Sequence, residues 1–131
     1  MGKRVLVADD EAHILHVVSM KLAHAGYEVL TALDGEEAME LCLAEKPDLL
    51  ITDYQMPCLT GLELCEKLRE SEQTREIPVL MLTAHGFDIE PDKMAAAGIA
   101  GVLTKPFSPR EVLVSVERLL GEEVAEQAPR S

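Results

Sequence analysis

Residues 49–57 read LLITDYQMP: three aliphatic residues and a threonine lead to Asp53, and Pro57 closes the stretch. An apolar run of this length, bounded by turn-forming residues, predicts a buried strand over 49–52 that ends at the aspartate. A carboxylate in that position is costly to desolvate unless another group pairs with it. Asp53 must therefore meet a partner that comes from elsewhere in the chain.

Four similar apolar runs occur in the chain, and a helical stretch separates each run from the next. The predicted strands are 4–8, 28–32, 49–52, 79–83 and 101–104, and the predicted helices are 12–25, 36–45, 62–72, 91–98 and 110–120, with Asp34 and Ser108 as N-caps. Strands that alternate with helices of about ten residues are typical of parallel sheets, and five short apolar runs fit strands that are covered on both faces. We therefore predict a doubly wound α/β domain with a five-stranded parallel sheet in the order 2-1-3-4-5, flanked by five helices.

The composition limits what such a domain can do. The chain has 131 residues, 47% of them hydrophobic, which is enough for one domain with a full core. Its net charge of −12 argues against direct nucleic-acid binding by this domain, because Lys and Arg are needed to hold a phosphate backbone. We expect residues 1–121 to form the domain and the acidic residues 122–131 to be a disordered tail or the start of a linker.

The first residues of the chain and its cysteines indicate where in the cell the protein acts. The start MGKRVLVADDE turns acidic after a short apolar run, so it predicts neither a signal peptide nor a membrane span. Cys42, Cys58 and Cys65 have no CxxC spacing, and we expect all three to be small buried hydrophobes rather than members of disulfides. Both observations predict a cytoplasmic protein that does not associate with a membrane.

Charged and polar side chains follow four of the five predicted strands. Asp9 and Asp10 follow the first strand, Asp53 the third and Lys105 the fifth, and Thr83 ends the fourth. The carboxyl ends of the strands of a doubly wound sheet lie on one edge, so we expect these side chains to converge. Carboxylates that lie close together repel each other, and a divalent cation relieves that repulsion. An oxygen-rich, acidic site without Cys or His ligands suits Mg²⁺.

The same side chains suit phosphoryl transfer. An aspartate can act as a nucleophile and form an aspartyl phosphate. The metal ion then neutralises phosphoryl oxygens, Lys105 supplies a second cation and Thr83 supplies a hydrogen-bond donor. Asp53 ends a rigid strand, on this interpretation, because a nucleophile has to be held still beside a metal ion and a lysine.

Four short motifs, ADDE (8–11), TDYQMP (52–57), TA (83–84) and TKPF (104–107), together resemble those of the receiver domain of bacterial two-component response regulators. The resemblance extends from about residue 4 to residue 120. It implies a phosphoacceptor switch rather than an enzyme with a separate substrate, in which Asp53 accepts phosphate from a sensor histidine kinase or a histidine phosphotransfer protein. Phosphorylation would then change the surface of strand 4, helix 4 and strand 5 for an output partner or an effector domain.

The resemblance also implies a set of metal ligands. Asp10, Asp53 and the backbone carbonyl of Gln55 would bind Mg²⁺, and Asp9 would act largely through water. His85, two residues beyond the fourth strand, would lie near the site.

Thr83 and Lys105 would contact the phosphoryl group in such a domain, and the Lys105–Pro106 peptide bond would be cis. Two positions depart from the family pattern. Val102 stands where the family usually has an aromatic residue that rotates inward as Thr83 engages phosphate, and Thr60 replaces a usual acidic residue. The first departure bears on signal transmission rather than on the chemistry.

Three other functions stay open from the residues alone. A phosphorylation-independent interaction module could share the fold, although the residues that carry the chemistry are all present. A Mg²⁺-dependent aspartyl phosphatase or phosphotransferase usually has a second acid two residues after the nucleophile, where this chain has Gln55. A flavodoxin-like FMN carrier needs a phosphate-binding loop after strand one, where Asp9 and Asp10 would repel the phosphate.

Overall fold

A computed structural model describes residues 3–84 and 90–121, in which strands and helices alternate strictly. The strands are β1 (Arg4–Ala8), β2 (Glu28–Ala32), β3 (Leu49–Asp53), β4 (Val79–Thr83) and β5 (Ile99–Thr104). The helices are α1 (Ala12–His24), α2 (Gly35–Glu45), α3 (Gly61–Arg69), α4 (Pro91–Ala96) and α5 (Pro109–Leu119). Every predicted element is present, although several ends differ from the predicted ones by up to three residues. His85 and the predicted tail 122–131 lie outside the described residues.

The five strands form one parallel sheet in the predicted order, β2-β1-β3-β4-β5. Each of the first four strands leads into a helix before the next strand, so all the carboxyl ends lie on one edge of the sheet. β1, β3 and β4 are buried almost throughout, whereas β2 and β5 are partly exposed. β2 packs against α1 and α2, and β5 packs against α4 and α5, so both faces of these edge strands are covered, as predicted. They are more exposed than the central strands because each has only one neighbouring strand.

Alternate residues of the central strands point to opposite faces of the sheet and form two apolar cores. The first core combines Val5, Val7, Leu49, Ile51, Leu80 and Leu82 of the sheet with Leu15, Val18 and Leu22 of α1 and Val112 and Val116 of α5. The second combines Leu6, Leu50, Val79 and Met81 of the sheet with Ala38 and Cys42 of α2 and Leu64, Cys65 and Leu68 of α3. Burial of each aliphatic side chain of this size adds about 1.5–3 kcal/mol to the free energy of unfolding, so the two cores hold the strand ends firmly in place. No helix of the described residues has the length and apolar character needed to cross a membrane.

Side-chain caps fix the start of three helices at the carboxyl edge of the sheet. Asp34 caps α2 and Ser108 caps α5, as predicted. Thr60 accepts a hydrogen bond from the Glu63 N–H, and the Glu63 side chain accepts one from the Thr60 N–H, which together form a capping box on α3. A cap of this kind stabilises a helix by about 1 kcal/mol. Thr60, which departs from the family pattern, therefore has a structural role here.

Two of the three cysteines are buried, and one is not. Cys42 and Cys65 lie in the second core, where burial raises the pKa of each thiol to about 12. Cys58 is exposed and has a φ of 72°, in the turn between β3 and α3. The expectation that Cys58 is a buried hydrophobe is wrong, because Cys58 lies on the solvent side of this turn, whereas Met56 of the same turn enters the second core. All three thiols are free, as expected.

Candidate functional site

The sheet register brings the ends of β1 and β3 side by side. Ala8 of β1 pairs with Thr52 of β3, so that Asp9 and Asp53 each come next along neighbouring parallel strands. Asp53 in turn pairs with Leu82 of β4, one residue before the end of that strand. The convergence that the sequence predicts at this edge is therefore a direct consequence of strand pairing.

Backbone hydrogen bonds tie the residues beyond the strand ends to the neighbouring strands. The N–H groups of Asp9, Tyr54 and Lys105 donate to the carbonyl oxygens of Ala32, Leu82 and Thr83 at 3.1, 2.8 and 2.8 Å, respectively. These bonds extend the ladder by one residue past each strand, so the side chains at the edge have rigid backbone supports.

Gly61 allows α3 to start directly against the end of β3. Its N–H donates to the Tyr54 carbonyl at 2.7 Å. A Cβ atom at this position would lie 2.5 Å from the Asp53 carbonyl oxygen and 2.9 Å from the Met81 sulfur. A Cβ atom would not fit there unless the backbone moved, so only glycine allows this close approach of α3 to the end of β3.

Asp9, Asp10 and Asp53, here called the carboxylate cluster, each offer one oxygen within 4.8 Å of the others. Asp9 and Asp53 are buried, and Asp10 is exposed. Oδ1 of Asp9 accepts a hydrogen bond from the Glu11 N–H at 2.9 Å. The other oxygen, Oδ2, is buried and accepts no hydrogen bond from the residues that the structure describes. A buried carboxylate oxygen without a donor, in a site of carboxylate ligands alone, fits a hard divalent cation such as Mg²⁺.

Lys105 is the cation that faces this cluster. Its Nζ lies 3.0 Å from Oδ1 of Asp53 and 3.6 Å from Oδ2 of Asp9. A third carboxylate, that of Glu11, lies 3.7 Å from the same ammonium. The Lys105–Pro106 peptide bond is cis, as the resemblance implied.

Burial and charge shift the pKa values of these groups. Burial raises the pKa of Asp9 to about 6, and the nearby charge of Asp53 adds to the rise. Burial also raises the pKa of Asp53, against the lowering effect of the hydrogen bond and charge of Lys105. Burial alone would lower the pKa of Lys105, but its hydrogen bond to Asp53 and the surrounding carboxylates outweigh that effect and raise it. Lys105 is therefore positively charged at neutral pH, beside a carboxylate that can act as a nucleophile.

The remaining predicted residues lie around this centre. Thr83 is buried at the end of β4, where it pairs with Thr104 of β5. Gln55 is exposed and, together with Asp10, lines an open cavity of about 360 Å³ beside the carboxylate cluster. Val102, at the position where the family usually has an aromatic residue, is partly buried and packs against the second core.

One residue of the site was not identified from the sequence. Glu11 directly follows Asp10, and its carboxylate lies beside Lys105. The third acidic letter of the ADDE motif is the only signal in the sequence that points to it.

The sequence profile of the response regulator receiver domain matches residues 5–117 of the chain. Among curated proteins, the chain is 45% identical over 122 residues to the alkaline phosphatase synthesis transcriptional regulatory protein PhoP of Bacillus subtilis (strain 168). That alignment covers 92% of this chain and 49% of PhoP. The chain spans about half the length of the curated relatives that it matches.

Solved structures show the same architecture. The chemotaxis response regulator CheY4 of Vibrio cholerae is 37% identical with a TM-score of 0.84, over 91% of this chain and 99% of CheY4. The receiver domain of the sensor histidine kinase PA1611 of Pseudomonas aeruginosa PAO1 is 26% identical with a TM-score of 0.81, over 92% and 99% of the two chains. The crystal structure of that PA1611 domain has a magnesium ion coordinated in its active site cleft.

Proposed function

This chain belongs to the response regulator receiver domain family, and on that premise we propose that it is a phosphoacceptor switch of two-component signalling that is phosphorylated on Asp53. One observation carries the proposal. The Asp53 carboxylate stands at the end of a buried strand, 3.0 Å from the Lys105 ammonium and within 4.8 Å of carboxylate oxygens of Asp9 and Asp10.

The transfer begins when a carboxylate oxygen of Asp53 attacks the phosphorus atom of a phosphohistidine. A P–O bond forms while the P–N bond breaks, and the electron pair of the broken bond stays with the imidazole nitrogen. The donor leaves as neutral imidazole because its other ring nitrogen carries a proton. Asp53 is the last residue of β3, between the two cores, so its carboxylate is already positioned for attack.

Two side chains at the ends of neighbouring strands contact the phosphoryl group on Asp53. The Lys105 ammonium stabilises negative charge on the phosphoryl oxygens, and the Thr83 hydroxyl donates a hydrogen bond to one of them. The Thr83 carbonyl accepts a hydrogen bond from the Lys105 N–H at 2.8 Å, so the backbones that carry these two side chains are joined directly. The carboxylate cluster and the backbone carbonyl of Gln55 would hold Mg²⁺, which, when bound, neutralises part of the phosphoryl charge.

Other proteins supply the phosphate and receive the signal. A sensor histidine kinase or a histidine phosphotransfer protein is the donor, in the cytoplasm. The surface of β4, α4 and β5 carries the change to an output partner or to an effector domain. The relative PhoP, a transcriptional regulatory protein, is about twice as long as this chain. The domain acts as a switch rather than as an enzyme with a separate substrate, and its net charge of −12 disfavours direct contact with DNA.

Intact-mass measurement after treatment with acetyl phosphate and Mg²⁺ tests the proposal. The wild-type chain should gain the mass of one phosphoryl group, and Asp53→Asn should gain none. Asp92→Asn, which makes the same chemical change at an exposed position of α4, is the matched control and should be labelled like wild type. Equal labelling of Asp53→Asn refutes the assignment of Asp53. If wild type is not labelled at all, the phosphorylation-independent interaction module becomes the better account.

A further inference from the structure

We propose that Glu11 is a positioning residue that holds Lys105 in its resting place and competes with the phosphoryl group for the lysine ammonium. The proposal rests on the proposed function, since it concerns the phosphoryl group that Asp53 accepts. It assigns a task to a carboxylate that the chemistry of transfer does not use.

The contact distances place Glu11 as the outermost of the three carboxylates around Lys105. Asp53, Asp9 and Glu11 present oxygens at 3.0, 3.6 and 3.7 Å from Nζ. The Asp9 side chain is 0% exposed and that of Asp53 is 9% exposed, whereas Glu11 is 60% exposed. Lys105 itself is 22% exposed, so it lies between a buried pair of aspartates and a glutamate in contact with solvent. Glu11 can therefore move away from the lysine without leaving an unpaired charge in the interior.

The backbone of Glu11 is fixed, but its side chain has no structural task at the start of α1. Its N–H donates to Oδ1 of Asp9 at 2.9 Å, and its carbonyl accepts the N–H groups of Ile14 and Leu15 at 3.0 and 3.1 Å. Glu11 is the N-cap residue of α1, yet its side chain makes no capping hydrogen bond. The carboxylate is therefore held near Lys105 by the position of its backbone and by the ion pair itself, and it can swing away from the lysine without breaking a helix cap.

A bound cation would change the balance of charge around Lys105. The described residues that could together hold a metal ion are Asp9, Asp10 and Asp53, and Glu11 is outside this group. A divalent cation would therefore neutralise the negative charge of the aspartates, and the Glu11 carboxylate would remain as the negative charge that pairs with Lys105. An arriving phosphoryl group needs the same ammonium, so it has to displace the Glu11 carboxylate, which also repels it.

The expected effect is modest because the pair is largely in contact with solvent. Exposed ion pairs change an equilibrium by about two- to fivefold, and salt screens them. Removal of the Glu11 carboxylate should therefore tighten the binding of a phosphoryl mimic by about two- to fivefold at low salt, with a smaller gain at about 1 M salt.

The test measures the dissociation constant of beryllofluoride in the presence of Mg²⁺, from the amide NMR shifts of wild type and variants. Glu11→Gln should bind beryllofluoride more tightly than wild type. Glu11→Asp should show most of the same gain, because it keeps the charge but is one methylene too short for the contact. Glu40→Gln, which removes one negative charge from an exposed position of α2, should match wild type.

A second measurement follows the transfer itself. Asp53 attacks the phosphorus of acetyl phosphate, a P–O bond forms as the P–O bond to acetate breaks, and acetate leaves with the electron pair. The rate constant should rise in Glu11→Gln by the same two- to fivefold factor at low salt. Equal melting temperatures for wild type and Glu11→Gln in EDTA would exclude a merely structural effect.

The outcomes separate this proposal from the function on which it rests. If wild type neither binds beryllofluoride nor accepts phosphate, both the proposed function and the role of Glu11 are refuted. If wild type does both and Glu11→Gln is unchanged, only the role of Glu11 is refuted. If Glu11→Asp behaves like wild type while Glu11→Gln binds more tightly, net charge rather than the contact with Lys105 is responsible, and the competition is refuted.

Discussion

The metal-free domain should lose stability as the pH rises, and the buried carboxyl group of Asp9 should contribute to that loss. Its side chain is 0% exposed, and one of its oxygens has no hydrogen-bond donor among the described residues. The informative perturbation is Asp9→Asn, which keeps the shape of the side chain and removes the charge. We expect this variant to be less dependent on pH than wild type in EDTA.

The sign and the magnitude follow from the pKa of Asp9. Burial raises this pKa from 3.8 to about 6 in the folded chain, so the folded state binds the proton more tightly than the unfolded chain. The resulting stability is fully present below pH 3.8 and is lost as the pH rises through about 6. The whole shift corresponds to about 3 kcal/mol, of which about 1.4 kcal/mol is lost between pH 5 and pH 8.

Urea unfolding in EDTA at several pH values between 5 and 8 measures this contribution as a difference between variants. The free energy of unfolding of wild type should fall by about 1.4 kcal/mol more than that of Asp9→Asn over this range. Asp92→Asn, at an exposed position, is the matched control and should follow wild type. If wild type and Asp9→Asn respond to pH in parallel, Asp9 is not a buried carboxylate that is costly to ionise, and the account of the cluster is wrong.

Three further predictions concern the cluster, its support and the output. Mg²⁺ at about ten times its dissociation constant should stabilise wild type by about 1.4 kcal/mol. Asp53→Asn should melt higher than wild type in EDTA and gain less from Mg²⁺, whereas the surface control Glu72→Gln should behave like wild type. An equal gain for Asp53→Asn would contradict the metal site. Gly61→Ala should lower the free energy of unfolding in urea by about 1–3 kcal/mol, because its Cβ would lie 2.5 Å from the Asp53 carbonyl oxygen. Gly101→Ala should lower it less, because the nearest atom to its Cβ, at 3.2 Å, belongs to a flexible side chain. Equal losses of stability would contradict the close approach at Gly61. Because Val102 has no aromatic ring, a phosphoryl mimic should change amide exchange across β4, α4 and β5 without a large aromatic rotation, and unchanged exchange would favour the interaction module.

Much of the fold could be predicted because its signals are local. The five apolar runs are bounded by glycine, proline or charged residues, and the alternation of runs with helical stretches restricts the topology to a parallel sheet. The exposure of the edge strands is not visible in the runs themselves. EVLTA of β2 has the same length as VLMLT of β4, and only the predicted strand order, which places β2 at an edge, indicates that one side of it lacks a neighbour.

The site shows the same division between what topology decides and what side-chain placement decides. Asp9, Asp53 and Lys105 could be brought together from the sequence because the carboxyl ends of parallel strands share one edge. Glu11 could not, because the direction of a flexible side chain at a helix start depends on rotamers rather than on register. Cys58 was misjudged for a similar reason, since its left-handed turn follows from the way the chain enters α3 and not from its composition.

The identity of the phosphorylated residue decides whether Asp53 is the phosphoacceptor of this domain. Borohydride reduces an acyl phosphate to an alcohol, so an aspartyl phosphate becomes homoserine, and peptide mass spectrometry then locates the change in the sequence. After treatment with acetyl phosphate and Mg²⁺, we expect homoserine at position 53 and at no other aspartate. Homoserine at Asp9 or Asp10, or phosphate gained without homoserine at position 53, would contradict the assignment of Asp53 as the phosphoacceptor of this domain.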